Sequence, residues 1–322
     1  MAESLGPRER ALAAAVARRH YLADESKVDI ASALGISRFK VARLLDAAHE
    51  LGMVRIEVVD DGLVDMELSQ CLKETYGLHH CSVVVASPDA GRGRGDIGRA
   101  AADLLTEIIT PSDVLGLPWS RSVADLIAAL TALPPIPVVQ LSGSLVVPGE
   151  TRSPVDIVTR AARLAGGEAH VFFAPLVLDS AASAAAMRRQ QSVADAFAQA
   201  YRVTIAAAGL GAWNPESSTI CRALSPDDRQ AAADTGVVGE MMGICFDSEG
   251  RPVATALGER VLTLTPEQLR AIPEVIGIAR GAAKADVLRP ALAGRLVTSM
   301  VVDSDLANVL LHPSSGSVSV SR

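Results

Sequence analysis

Between Ser26 and Gly52 the chain reads SKVDIASALGISRFKVARLLDAAHELG, and this stretch admits few arrangements other than two short helices crossing at a tight turn. Apolar residues fall at Ile30, Leu34, Ile36, Val41 and Leu44, where helices meeting at a steep angle bury their facing stripes. Ala31 is small where the second helix passes closest, and Gly35 sits where a left-handed residue ends the first helix cheaply. Ser37 then stands as an N-cap, and Arg38 to Leu51 continues with helical spacing. The pattern is a helix-turn-helix with the second helix as its reading element. The start of that helix carries Ser37, Arg38, Phe39, Lys40 and Arg43, while Asp46 and Glu50 lie toward the far end. Arginine can fork onto guanine, lysine and serine can hold phosphate, and Phe39 either meets a thymine methyl or turns into the core.

The 322-residue length exceeds one small domain and suits two. Residues 1 to 55 carry nine Lys or Arg against seven acids, a net +2, within a chain whose formal charge is -7, which leaves -9 for the remainder. Only the N-terminal segment therefore has an electrostatic footprint for nucleic acid. A charge of +2 is too weak without a second copy or good base contacts, which points to a homo-oligomer. The apolar cluster Ala11 to Ala17 is short and bracketed by Arg8, Arg10, Arg18 and Arg19, so it reads as a first helix and not as a secretion signal. Despite 49% hydrophobic residues, no uninterrupted apolar run approaches the roughly 20 residues of a membrane span. Cys71, Cys81, Cys221 and Cys245 form no CxxC pair and have no histidines at metal spacing. Buried thiols are expected, with no metal, no cofactor and a cytoplasmic location.

After Gly52, Val54, Ile56 and Val58 alternate as a strand that ends in the Asp61-Gly62 turn, a wing or a simple connector. Leu63 to Tyr76 reads as a linker helix closed by Gly77 and suited to help dimerise. From Ser82 onward short apolar strands alternate with helices. The strands are expected at 82–86, 113–117, 138–141, 170–173, 204–208, 242–247 and 296–302, and the helices at 98–109, 122–130, 154–164, 192–201 and 266–271. This alternation predicts a Rossmann-like, mostly parallel α/β domain covered on both faces. The expected division is 1–59 for the all-α helix-turn-helix domain and 60–322 for the α/β domain, with 60–80 as linker.

Ligands of such sheets sit at the carboxyl ends of the strands. The loop Gly116-Leu-Pro-Trp-Ser-Arg-Ser122 joins a strand to a helix, where amide N–H groups, Ser120, Ser122 and Arg121 would attract an anion; a plain capped helix start is the other reading. Leu141-Ser-Gly-Ser144 offers a second open backbone, and Gly209-Leu-Gly211 a third, continued by Ala212, Trp213 and Asn214. The tract Asp89 to Arg99 contains GRGRGDIG without dinucleotide-binding spacing and is expected to be a flexible loop. Lys284, within GIARGAAKA, is expected four residues into a helix, facing either a bound phosphate or solvent.

Taken in order, the helix-turn-helix with Gly52-Met53-Val54, the GLPWSRS loop, the LSGS strand end, Thr235 to Glu240 before Phe246 to Gly250, and the closing GIARGAAKADVLRPALAGRLVTSMVVDSDLANVLL resemble the SorC family of bacterial sugar-responsive transcriptional regulators. The resemblance covers nearly the full chain. It implies an effector domain similar to the glucosamine-6-phosphate deaminase type, operator DNA as one partner, and a sugar phosphate or other small carbohydrate as the other. It also implies a dimer or tetramer. By that likeness Ser120, Arg121 and Ser122, in the loop opened by Gly116, would face a phosphate with Lys284, and Gly143, Ser144 and Asp247 would lie near the sugar. Asp247 also has a plain reading as a turn residue. Pro118 and Arg121 depart from a smaller loop, Glu240 from a shorter acid and Arg280 from a glycine. A sugar-phosphate isomerase or deaminase with an added DNA-binding domain is the competing class. Those deaminases place an Asp and a His where this chain has Ala212, Trp213 and Asn214, so no catalytic residue is assigned and a regulator is preferred.

Overall fold

The computed structural model describes residues 6–55, 63–145 and 153–312. The chain falls into two compact units, Met1–Asp61 and Gly62–Arg322.

In the N-terminal unit, Pro7 opens α1 (Pro7–Tyr21), and α2 (Lys27–Leu34) and α3 (Arg38–Glu50) follow. The local chemistry fixes both ends of the crossing. Ser26 caps α2 by accepting the Asp29 N–H, Gly35 closes it at φ 62°, and Ser37 caps α3 by accepting the Lys40 N–H at 3.2 Å. Ile30, Val41, Leu44, Leu45 and Ala48 bury their side chains against Ala13, Val16 and Ala17 of α1, with Leu34 and Ile36 half-buried at the rim. Residues 53–55 form no strand, and the rest of the expected strand and its Asp61-Gly62 turn lie outside the described residues.

The second unit runs α4 (Met66–Tyr76), β1 (His80–Val84), α5 (Ala90–Ile108), β2 (Leu115–Leu117), α6 (Arg121–Ala129), β3 (Val138–Gln140), α7 (Pro154–Ala165) and β4 (Ala169–His170). It continues with α8 (Ala181–Arg188), α9 (Gln191–Ala200), β5 (Ile205–Ala212), α10 (Thr219–Ala223), α11 (Pro226–Asp234), β6 (Gly239–Met241) and β7 (Ile244–Phe246). It ends with α12 (Pro266–Ala271), β8 (Glu274–Ile278), α13 (Ala285–Ala293), β9 (Ser299–Asp303) and α14 (Ser304–Leu311). The main sheet has the order β1-β9-β8-β5-β2-β3-β4, and its neighbours are parallel. Alternate side chains enter two cores. Ala206, Ala208, Val275, Met300 and Val302 pack on one face, and Ile205, Ala207, Ile276, Ile278 and Val301 on the other. The fold is thus a three-helix unit followed by a doubly covered, mostly parallel α/β unit.

From β2 the chain builds outward through β3 and β4, then returns to place β5 on the other side of β2 and proceeds to β8 and β9. The strand order reverses between β2 and β5, the place where the loops diverge and leave a crevice. The end of β5 also pairs antiparallel with β6, and β6 with β7, forming a hairpin above that crevice.

Several expected elements differ. The Asp89–Arg99 tract is helical: Asp89 caps α5 by accepting the Arg92 N–H at 2.9 Å, and the glycines serve contacts across the packing. A Cβ on Gly98 would lie 2.9 Å from the Asp125 backbone of α6. Ile276-Gly-Ile belongs to β8, and Lys284 ends a 3-10 turn, Ala282–Lys284, so it stands at the mouth of α13 instead of inside a helix.

Candidate functional site

At the β2/β5 reversal lies a cavity of about 240 Å³, on the scale of one small ligand. Its walls come from Pro118 to Ser122 after β2, Gly209 to Gly211 at the end of β5, Glu240 and Met242 of the hairpin, and Ile278 to Arg280 after β8. Arg94 and Asp125, Ser142, Ser217, Thr219 and Lys284 complete its polar lining.

Each polar group has a distinct electrostatic state. Ser120 caps α6, its Oγ accepting the Val123 N–H at 3.1 Å, so its own O–H stays available to donate. Gly209 brings bare backbone against the loop, since a Cβ there would lie 3.2 Å from Ser120 Oγ and 3.5 Å from Ser122 Oγ. Lys284 Nζ donates to the Leu210 carbonyl at 2.6 Å and to Ser217 Oγ at 2.8 Å. Burial pulls its pKa below the usual lysine value, with Arg121 adding to the depression and Glu240 opposing it. Glu240 is 7% exposed. Its carboxylate accepts from Ser218 Oγ at 2.7 Å and from the Gly243 N–H at 3.2 Å, and burial still pushes its pKa up against those bonds and Lys284. Arg94 forks onto Asp125, with Nη2 2.9 Å from Oδ2. Arg121 and Arg280 have no hydrogen-bond or ion-pair partner among the described residues.

The structure gathers Ser120, Arg121, Ser122 and Lys284 into this one cavity. It does not bring Gly116, Gly143, Ser144 or Asp247 to the lining. Gly116 lies inside β2, pressed by Leu141 and Val203. Gly143 is packed on Pro175, where a Cβ would come 2.6 Å from the carbonyl oxygen, and Ser144 ties its backbone to Ala174 and Leu176. Asp247 takes the plain role of a turn residue, its Oδ1 accepting the Glu249 and Arg251 N–H groups, both at 2.9 Å. Of the Leu141-to-Ser144 loop it is Ser142 that lines the cavity, and Arg94, Ser217 and Thr219 are lining residues that the loop motifs did not single out. The one available signal was Arg94, masked by reading its glycine-rich surroundings as a loop.

The start of α3 presents a second surface. Ser37, Arg38, Phe39, Lys40 and Arg43 are all exposed, and Phe39 at 84% exposure belongs to the surface and not to the core. Farther along the helix, Tyr21 Oη and His49 Nε2 lie 2.8 Å apart, holding α1 to the far end of α3.

The sequence family described as "Putative sugar-binding domain" matches residues 62–312. The transcriptional regulator LsrR of Klebsiella pneumoniae is 26% identical over 310 residues, covering 94% of this chain and 93% of its own. YjhU of Escherichia coli, described as an uncharacterized transcriptional regulator, is 26% identical over 304 residues, covering 91% of this chain and 92% of its own. Among solved structures, the full-length sorbitol operon regulator SorC from Klebsiella pneumoniae aligns with a TM-score of 0.70 at 25% identity, covering 94% of this chain and 99% of that one.

Proposed function

Because the chain belongs to this sugar-binding family, in the SorC type of transcriptional regulators, we propose that it is a DNA-binding regulator controlled by a phosphorylated sugar or related small carbohydrate. The observation that carries the effector reading is the cavity at the strand reversal. There the capped start of α6, the bare backbone of Gly209 and the cations Arg121 and Lys284 surround a space for one small ligand. The phosphate is assigned to Ser120, Arg121, Ser122 and Lys284, and a sugar hydroxyl to Glu240, whose buried carboxyl can accept or donate according to its protonation.

On the DNA side, Arg38, Lys40 and Arg43, flanked by Ser37 and Phe39, form the reading surface, with residues 1–59 as the DNA-binding part and 60–80 as the linker. With +2 of local charge, one copy supplies little affinity, so a dimer or tetramer of this chain occupies paired half-sites in the cytoplasm. Effector that binds two quaternary arrangements with different affinity shifts the population competent for operator DNA, and no chemical step is required.

A thermal-shift screen of the full chain against phosphorylated and free sugars, followed by turnover assays on each hit, tests this reading. Stabilisation without turnover supports it. Conversion of a hit to product makes the chain an enzyme and overturns it.

A further inference from the structure

Four cationic side chains reach the cavity, and they are not equivalent. Arg94 is neutralised by its fork onto Asp125, and the Lys284 ammonium, which faces the phosphate end, already donates to Leu210 and Ser217 and is balanced by Glu240. That leaves two guanidinium groups with no partner among the described residues, Arg121 and Arg280. Arg121 opens α6 after β2, whereas Arg280 follows β8 and lies against the first turn of α5, its Nη1 3.1 Å from where a Cβ on Gly93 would stand. Both cations therefore sit beside the positive end of a helix, an arrangement that disfavours them until an anion arrives. They also come from different strands. Strand β5 lies between β2 and β8, so the strands that deliver the two arginines are two spacings, about 10 Å, from each other. One tetrahedral phosphate, with oxygens about 2.5 Å apart, is small against that strand spacing, whereas a six-carbon chain with an anionic group at each end is comparable to it.

We propose that the effector of this chain carries two separate anionic groups, a phosphate held at Arg121 and a second phosphate or carboxylate held at Arg280. This rests on the regulator reading above and narrows it to sugar bisphosphates and phosphorylated sugar acids. Arginine suits the task because its planar fork matches either oxyanion.

Calorimetric titration of the full-length protein with a hexose 6-phosphate, a hexonate 6-phosphate and a hexose 1,6-bisphosphate tests the proposal. At least one two-anion ligand is expected to bind about 10-fold or more tightly than the hexose 6-phosphate, and whichever is tighter identifies the second group as carboxylate or phosphate. In Arg280→Gln that advantage is expected to collapse to within about twofold, and in Arg280→Lys to be intermediate, since lysine keeps the charge and loses the fork. Arg121→Gln is expected to weaken all three ligands. Thermal melts of each variant verify that it folds. Equal affinity of wild-type protein for one-anion and two-anion ligands, or an advantage that survives Arg280→Gln, overturns the inference while leaving the regulator reading standing. No binding of any of the three overturns the phosphorylated-sugar reading itself.

Discussion

Glu240 carries a buried carboxylate into a cavity lined by Arg94, Arg121, Arg280 and Lys284 as well as Asp125, and its behaviour with pH follows from its burial. Burial raises its pKa above the ordinary 4.5, so between 4.5 and its raised value the folded state binds more protons than the unfolded one. Stability from this group is therefore full below 4.5 and is lost as pH rises through that window. Glu240→Gln keeps the shape and can still accept the Gly243 N–H while donating to Ser218. The melting temperature of the variant, measured from pH 4 to 8, should gain on wild type as pH rises, and a constant gap would mean that the carboxylate is better solvated than its burial indicates. Single residues were unevenly legible. Ser37 and Gly35 do their work on adjacent backbone, so local sequence chemistry found them. Asp247 and Ser144 fit a family pattern, yet the hydrogen bonds of their own turn and strand end claim them.

Helix α5 shows why an element can hide. Its glycines each cost about 1 kcal/mol of helix propensity relative to alanine, which makes GRGRGDIG look like a loop. What repays that cost is nonlocal: the backbone of α6 passes against Gly98 and the Arg280 guanidinium against Gly93. Gly98→Ala should lose about 1–3 kcal/mol in urea denaturation because a Cβ there meets Asp125 backbone that cannot rotate away. Wild-type stability in that variant would mean that the two helices separate easily. On α3 the prediction separates binding from folding. Arg38→Ala and Arg43→Ala should each weaken operator binding by about 1–3 kcal/mol, and Lys40→Ala should reduce the salt slope by about one, with melting temperatures unchanged. Strand β8 escaped sequence reading because Gly277, placed where Val297 leaves no room for a Cβ, interrupts its apolar run and suggests a turn.

For the whole molecule, the loops that build the cavity come from β2, β5, β6 and β8, and only the sheet order makes them neighbours. Periodicity identifies strand ends one at a time, and long-range pairing decides which of them converge. That is why the Ser120 to Ser122 loop, the loop holding Ser142 and Lys284 are each legible separately, while Ser217 and Thr219 are not. An effector that binds only the folded chain should stabilise it by about 2.7 kcal/mol at a hundred times its Kd. The same ligand should change operator affinity in a fluorescence anisotropy titration, and stabilisation with no change in operator affinity would uncouple the two units. Sedimentation velocity should give a species heavier than one chain, as paired half-sites require.

The chain holds two tryptophans. Trp213 is half-buried and is not a lining residue of the cavity, its indole N–H donating to the Arg229 carbonyl at 3.1 Å. Trp119 belongs to the GLPWSRS loop and forms part of the cavity wall, its backbone N–H resting on Ser142 Oγ. Indole emission shifts in colour and brightness with the polarity and charge beside the ring. Arrival of an anion beside Trp119 is thus visible as a change in the protein's own light, against the steady glow of Trp213, with no dye attached.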